Sequence, residues 1–106
     1  MFRRKNRRGT RNVLVDLGFE DAEELSAKAM LAMKLNALLE KRELTQAQAS
    51  ALLGMPQPKI SAIRNYKLQN ISLERLMQAI VALGQRVEIV VKPAGAKMPA
   101  GIGVVA

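Results

Sequence analysis

The sequence predicts an all-α domain that ends in one short β-strand, and three observations predict it. Apolar residues recur at helical spacing through most of residues 20–83, Gly54 with Met55 and Pro56 cuts that run into two short helices, and residues 86–91 alternate with a period of two. A chain of 106 residues holds one domain, and 49% apolar content with 3% aromatic content suits a modest core of aliphatic side chains. The expected organisation is a basic arm over residues 1–11, a folded domain over 12–92 and a flexible tail over 93–106.

Residues 1–11 carry six bases (Arg3, Arg4, Lys5, Arg7, Arg8 and Arg11) and no acid, with only Phe2 to bury, so the arm is expected to be a solvated, disordered tail by itself. Residues 12–19 alternate weakly through Val13 and Val15 and end near Gly18, as a brief strand or an extended anchor would. Glu20, Asp21, Glu23 and Glu24 then put negative charge where a helix start favours it, and Lys41 and Arg42 suit its other end, which predicts one long helix to about Arg42. Leu25, Ala29, Ala32 or Met33, and Asn36 fall near one of its faces, and Leu31, Leu35, Leu38 and Leu39 broaden the apolar stripe. Met30, Met33, Met55 and Met77 read as adaptable core fillers.

The next two helices form a tight hairpin. The Thr45 hydroxyl can cap the amides of Gln46, Ala47 and Gln48, and the helix it opens runs through Ala49, Leu52 and Leu53 to Gly54, a residue that adopts positive φ without steric cost. Pro56 and Pro58 confine the start of the second helix, because proline is tolerated where amides have no helical partner. At about 100° per residue, Ile60 and Ile63 face the core while Pro58, Ser61, Ala62 and Asn65 face outward, flanked by Gln57, Lys59, Arg64 and Lys67. A purely structural hairpin shares part of this pattern. Small Ala49 and Ser50 at the helix approach, Gly54 at the corner and a small, polar, cation-flanked outer face favour a helix-turn-helix that enters a DNA major groove.

Residues 68–71 read as a loop, Ser72 as the cap of a last helix with Glu74 in its first turn, and Leu73, Leu76, Met77, Ile80 and Leu83 as its apolar face, with Gly84 ending it. In residues 86–91, Val87, Ile89 and Val91 alternate against Glu88, Val90 and Lys92 until Pro93 stops the strand. A lone strand leaves its backbone groups unpaired, which predicts antiparallel pairing with the same strand of a second copy and hence a homodimer, with pairing to residues 13–15 as the competing arrangement.

The formal charge of +8 is uneven: residues 1–11 carry +6, residues 12–44 carry −3 and residues 45–106 carry +5, so the arm and the hairpin half face a polyanion. Beside a DNA-reading hairpin, Arg3, Arg4, Lys5, Arg7 and Arg8 would add phosphate contacts or enter a minor groove. The absence of cysteine and histidine excludes disulfides, thiol chemistry and ordinary zinc sites. Tyr66, scattered lysines and surface carboxylates form no acid/base or nucleophile constellation, so no enzyme, cofactor, metal or small-molecule substrate is expected. No run of about 18 apolar residues and no signal-like N-terminus occur, which predicts no membrane contact and a cytoplasmic protein.

Four stretches taken in order, DLGFEDAEELSAKA (16–29), LTQAQASALLGM (44–55), QPKISAIRNYK (57–67) and SLERLMQAIVALGQRVEIVV (72–91), resemble the Xre/Cro-type helix-turn-helix regulators and, more narrowly, the small HigA-type antitoxins. The last stretch is the most specific, since a general Cro-like domain need not finish with ALGQ and a strand. The resemblance implies a lambda-repressor-like domain of five helices, homodimeric, that represses its own operon and, as an antitoxin, blocks a small RelE-like ribonuclease toxin. It also implies base-reading roles for Gln57, Pro58, Ser61 and Ala62, a phosphate clamp at Gln46 beside Thr45, and backbone contacts at Asn65 and Lys67, with Lys59 and Arg64 completing the phosphate-facing set. One departure is Pro56, where relatives place a Ser, Thr or Asp cap; it offers no side-chain acceptor, and only Gln57 and Ser61 of the reading face can hydrogen-bond. A stand-alone regulator of a phage or prophage is the alternative function. A basic RNA-binding protein is a further one, though no aromatic stacking platform supports it.

Overall fold

The computed structural model describes residues 22–105. Among them are four helices: α1 (Ala22–Lys41), α2 (Gln46–Leu53), α3 (Gln57–Arg64) and α4 (Leu73–Ala82). Helix α1 packs along α4, α2 and α3 form the hairpin, and α1 and α4 together close over its inner side. Four helices lie among the described residues, which do not by themselves support the five-helix expectation, and the segment at 12–19 lies outside them.

Helix α1 has Glu23 and Glu24 in its first turn and Lys41 in its last, as its dipole favours. Its buried residues are Ala27, Leu31, Leu35 and Leu39 at four-residue spacing, with Lys28, Ala32 and Asn36 beside them. The face is therefore rotated from the one expected: Leu25 and Met33 are 40% and 50% exposed, and Ala29 is exposed. Periodicity alone favours Leu25 and Met33 over Lys28, because it ranks side chains by polarity. What buries Lys28 is a backbone acceptor, since its Nζ donates to the Leu68 carbonyl at 3.3 Å and lies 3.8 Å from Glu24.

The core is aliphatic. Leu35, Ile60, Ile63, Leu76 and Leu83 are its largest fully buried side chains, each contributing about 1.5–3 kcal/mol of transfer free energy. Met55 is buried among them and Met77 packs at the edge, whereas Met33 faces solvent rather than filling the core. Helix α4 is capped at its start by the Ser72 hydroxyl, which accepts from the Arg75 amide at 3.0 Å. At its end Arg42 donates from Nη2 to the Leu83 carbonyl at 2.6 Å, fastening the end of α4 to the end of α1.

All four helices close with the same six-to-one backbone bond: Leu44 to Leu39, Met55 to Ser50, Lys67 to Ala62 and Gln85 to Ile80. That closure needs one residue at positive φ. Gly54 (65°) and Gly84 (84°) supply it without strain, while Glu43 (53°) and Tyr66 (58°) supply it against a cost of about 1–2 kcal/mol each for an L-residue.

The strand expected at residues 86–91 is absent: residues 85–95 carry no regular structure, and no described segment pairs with them. A strand is a property of two segments, and alternation in one of them supplies only half of it. Val87 is half-buried and packs against the core. Ile89 and Val91 do not share that face and are 75% and 91% exposed. Beyond Pro93, the chain folds back far enough for Val104 to pack against the core and for Gly101 to lie directly on the Glu23 carboxyl group. No described helix is long and apolar enough to cross a membrane.

Candidate nucleic-acid interface

The corner of the hairpin is built from a few local contacts. Thr45 and Gln48 form a reciprocal cap, the Gln48 amide donating to the Thr45 hydroxyl at 3.1 Å and the Thr45 amide to the Gln48 side-chain oxygen at 2.9 Å. Gly54 sits at φ 65° with nothing within 4 Å of where a Cβ would stand, so the turn requires its backbone freedom and not its small size. The Ser50 hydroxyl donates to the Met55 carbonyl across the corner, and Arg75 reaches from α4 to the Gly54 carbonyl at 2.6 Å. Pro56 is the N-cap of α3 at φ −61° and offers no side-chain bond. The prolines at 56 and 58 instead remove two of the amides that a helix start leaves unpaired.

Helix α3 is held from within by Ile60 and Ile63, which are 1% and 0% exposed. It is held from the side by α1: the Asn36 amide donates to the Ile63 carbonyl at 3.0 Å, and Arg64 reaches the Asn36 carbonyl at 3.2 Å and the Glu40 carboxylate at 3.2 Å. These contacts fix the axis of α3 while leaving its other face to solvent. On that face Gln57 and Pro58 are exposed and Ser61 and Ala62 half-buried, so the four expected base-reading residues lie together.

The expected phosphate-facing residues divide. Thr45 and Gln46 sit exposed at the start of α2, and Lys67 is exposed with no partner among the described residues. Lys59 is exposed, but its Nζ is steered by the Asn70 carbonyl at 3.0 Å. Asn65 turns its amide back onto the Ser61 carbonyl at 2.9 Å. Arg64 is committed to α1, which places its charge toward Glu40. Of the expected dimerisation residues, Val87 is packed while Ile89 and Val91 are exposed. Arg3, Arg4, Lys5, Arg7 and Arg8 lie outside the described residues.

Two features escape a reading of periodicity. Asn36 and Arg64 position α3 without facing outward, and only the contact between α1 and α3 shows it. The loop after α3 also contributes: Pro58, Lys59 and Ala62 on the helix, with Lys67 and residues 69–71 of the loop, enclose a groove of about 440 Å³ beside the reading face. From residue 44 to residue 73 the chain has three bases and no acid, so this surface presents no carboxylate of its own to a phosphate.

Comparison with known proteins agrees with the geometry. A family model described as a helix-turn-helix domain matches residues 13–92. A solved chain described as an XRE-family transcriptional regulator superposes with a TM-score of 0.74 at 50% sequence identity, over 81% of this chain and 98% of that one. No curated protein sequence matches.

Proposed function

The chain belongs to the Xre-type helix-turn-helix family, and on that premise we propose that it is a sequence-specific repressor of transcription that reads operator DNA with α3. The observation that carries this reading is the two-sided anchoring of α3, with isoleucines inside and Asn36 and Arg64 at the flank, which leaves Gln57, Pro58, Ser61 and Ala62 as a presented face. Gln57 and Ser61 supply the hydrogen bonds to base edges; Gln46, Lys59 and Lys67 supply phosphate contacts. The proteins act as a pair, because one face with two hydrogen-bonding side chains discriminates weakly and a second copy doubles the contacts. The exposed apolar side chains at Ile89, Val90 and Val91 are the surface proposed for that pairing.

On the resemblance of its four sequence stretches to HigA-type antitoxins, the same protein is proposed to repress its own operon and to neutralise a small ribonuclease toxin in the cytoplasm. Co-purification of the product of the adjacent gene tests this second role separately from the first.

The DNA-binding role is tested by fluorescence anisotropy on the DNA upstream of the gene. Gln57→Ala is expected to weaken binding by about 1–3 kcal/mol and to relax discrimination at one base pair. Lys67→Ala is expected to weaken every sequence alike and to lower the salt slope by about one. If neither variant changes affinity, α3 is not the reading helix. For the pair, Ile89→Pro should give monomers by light scattering and weaker operator binding, and a dimer that survives places the interface elsewhere.

A further inference from the structure

The chain beyond residue 92 lies outside the stretch that the family model matches, yet part of it is seated on the domain. The Gly95 amide donates to the Met98 carbonyl at 2.9 Å and closes a turn, after which the chain returns to the start of α1. Gly101 lies directly on the carboxyl group of Glu23, in the first turn of that helix, and Val104 is half-buried against the core. Their neighbours do not follow them inward. Met98, Ile102 and Val105 are exposed, and a cavity of about 320 Å³ lined by Glu23, Lys97, Pro99 and Ile102 remains beside the segment. The tail is pinned at two points and not packed along its length, so little apolar area opposes its release.

What the tail pins is connected to the loop after α3. Glu24, next to Glu23, lies 3.8 Å from the Nζ of Lys28, and that Nζ donates to the Leu68 carbonyl at 3.3 Å. The same carbonyl accepts the Ile71 amide at 3.2 Å, so Leu68 is where the loop is tied to α1. A helix start frays readily, because its first amides have no helical partner. Fraying of the first turn of α1 moves Glu24 away from Lys28 and loosens the hold of Lys28 on Leu68. We propose that residues 93–105 are a releasable strap that keeps this turn intact and, through Lys28, fixes the loop at 67–71. Val104 and Lys28 are then positioning residues for the DNA-binding surface, although neither belongs to its reading face. The two-state element is the first turn of α1, intact with the strap seated and frayed with it released. Only the last step, from loop to operator, rests on the DNA-reading function proposed above.

The test is residue-resolved amide exchange by NMR on the full-length protein, with Val104→Asp to release the strap. The Ile71 amide should exchange about fivefold faster, the factor that corresponds to about 1 kcal/mol for a half-buried valine. The Ala49 amide, bonded to the Thr45 carbonyl at 2.8 Å in α2, should keep its rate. Lys28→Met keeps the apolar stem and removes the donor; it should itself speed exchange at Ile71 and abolish any further effect of Val104→Asp. Affinity for a duplex selected from a random-sequence pool, read by fluorescence anisotropy, should fall about twofold in Val104→Asp. The strap is overturned if the Ile71 rate is unchanged, if it rises together with that of Ala49, or if the effect of Val104→Asp persists in full in Lys28→Met. Faster exchange with unchanged affinity overturns the step from loop to operator. If the pool yields no preferred duplex, the DNA-reading function falls while the exchange rates still decide the strap. Val104→Ser, a milder change, reads the same amides should Val104→Asp fold poorly.

Discussion

Asn36→Leu isolates the contact by which α1 sets the axis of α3. Asn36 is 6% exposed, and its amide donates to the Ile63 carbonyl at 3.0 Å in the last turn of α3. Leucine keeps the γ-branching, is somewhat larger, and removes the donor, together with the Oδ1 that Arg64 approaches at 3.5 Å, without opening a cavity. A neutral hydrogen bond contributes about 0.5–1.5 kcal/mol, and a buried acceptor left unpaired costs about 1–3 kcal/mol. The Ile63 carbonyl keeps the Tyr66 amide at 3.1 Å, so its loss is partial and the expected cost sits low in that range. The expected destabilisation is about 1.5–2 kcal/mol, which lowers Tm by about 6–16 °C in a domain of this size. Circular dichroism melts of the wild type and the variant measure it. A variant that melts within about 2 °C of wild type, a shift worth under about 0.5 kcal/mol, would show that the bond does not hold the helix. Glu40→Ala is the companion control: the Arg64–Glu40 pair is 3.2 Å long but 34% and 68% exposed, so its loss should cost under about 1 kcal/mol.

Three further outcomes follow from local geometry. Thr45→Ala removes one half of the reciprocal cap on α2 and should cost about 1 kcal/mol in urea unfolding, with the m value, the denaturant dependence of the unfolding free energy, unchanged. Gly54→Ala meets no atom within 4 Å, so its expected loss of about 1–2 kcal/mol is wholly conformational; a larger loss would point to a clash that the geometry does not contain. Glu43→Gly should do the opposite, because relief of an L-residue at φ 53° exceeds the roughly 0.5–1 kcal/mol that glycine adds to the entropy of the unfolded chain. A net gain of a few tenths to about 1 kcal/mol is expected by the same urea titration, and a loss would show that the Glu43 side chain contributes to the fold.

The helix caps, the hairpin corner and the inward isoleucines of α3 were legible in the residues themselves. Thr45, Gly54, Pro56 and Ser72 act through their own backbones and next neighbours, so caps and corner were legible one residue at a time. Ile60 and Ile63 were legible because an eight-residue helix with two large apolar side chains has one way to bury them. The stops at Glu43 and Tyr66 were not, since neither is a residue that prefers positive φ; packing of the flanking leucines and isoleucines imposes it on them. The tertiary structure alone decided that Lys28 and Asn36 go inside while Leu25 and Met33 stay out, because burial of a polar group depends on a carbonyl supplied from elsewhere in the fold. It decided that Arg64 serves the fold, and that the loop at 67–71 forms one wall of the groove beside α3. It also withheld the strand at 86–91. Alternation marks a segment able to pair, but pairing needs a second backbone within hydrogen-bonding reach, and the described chain places none there.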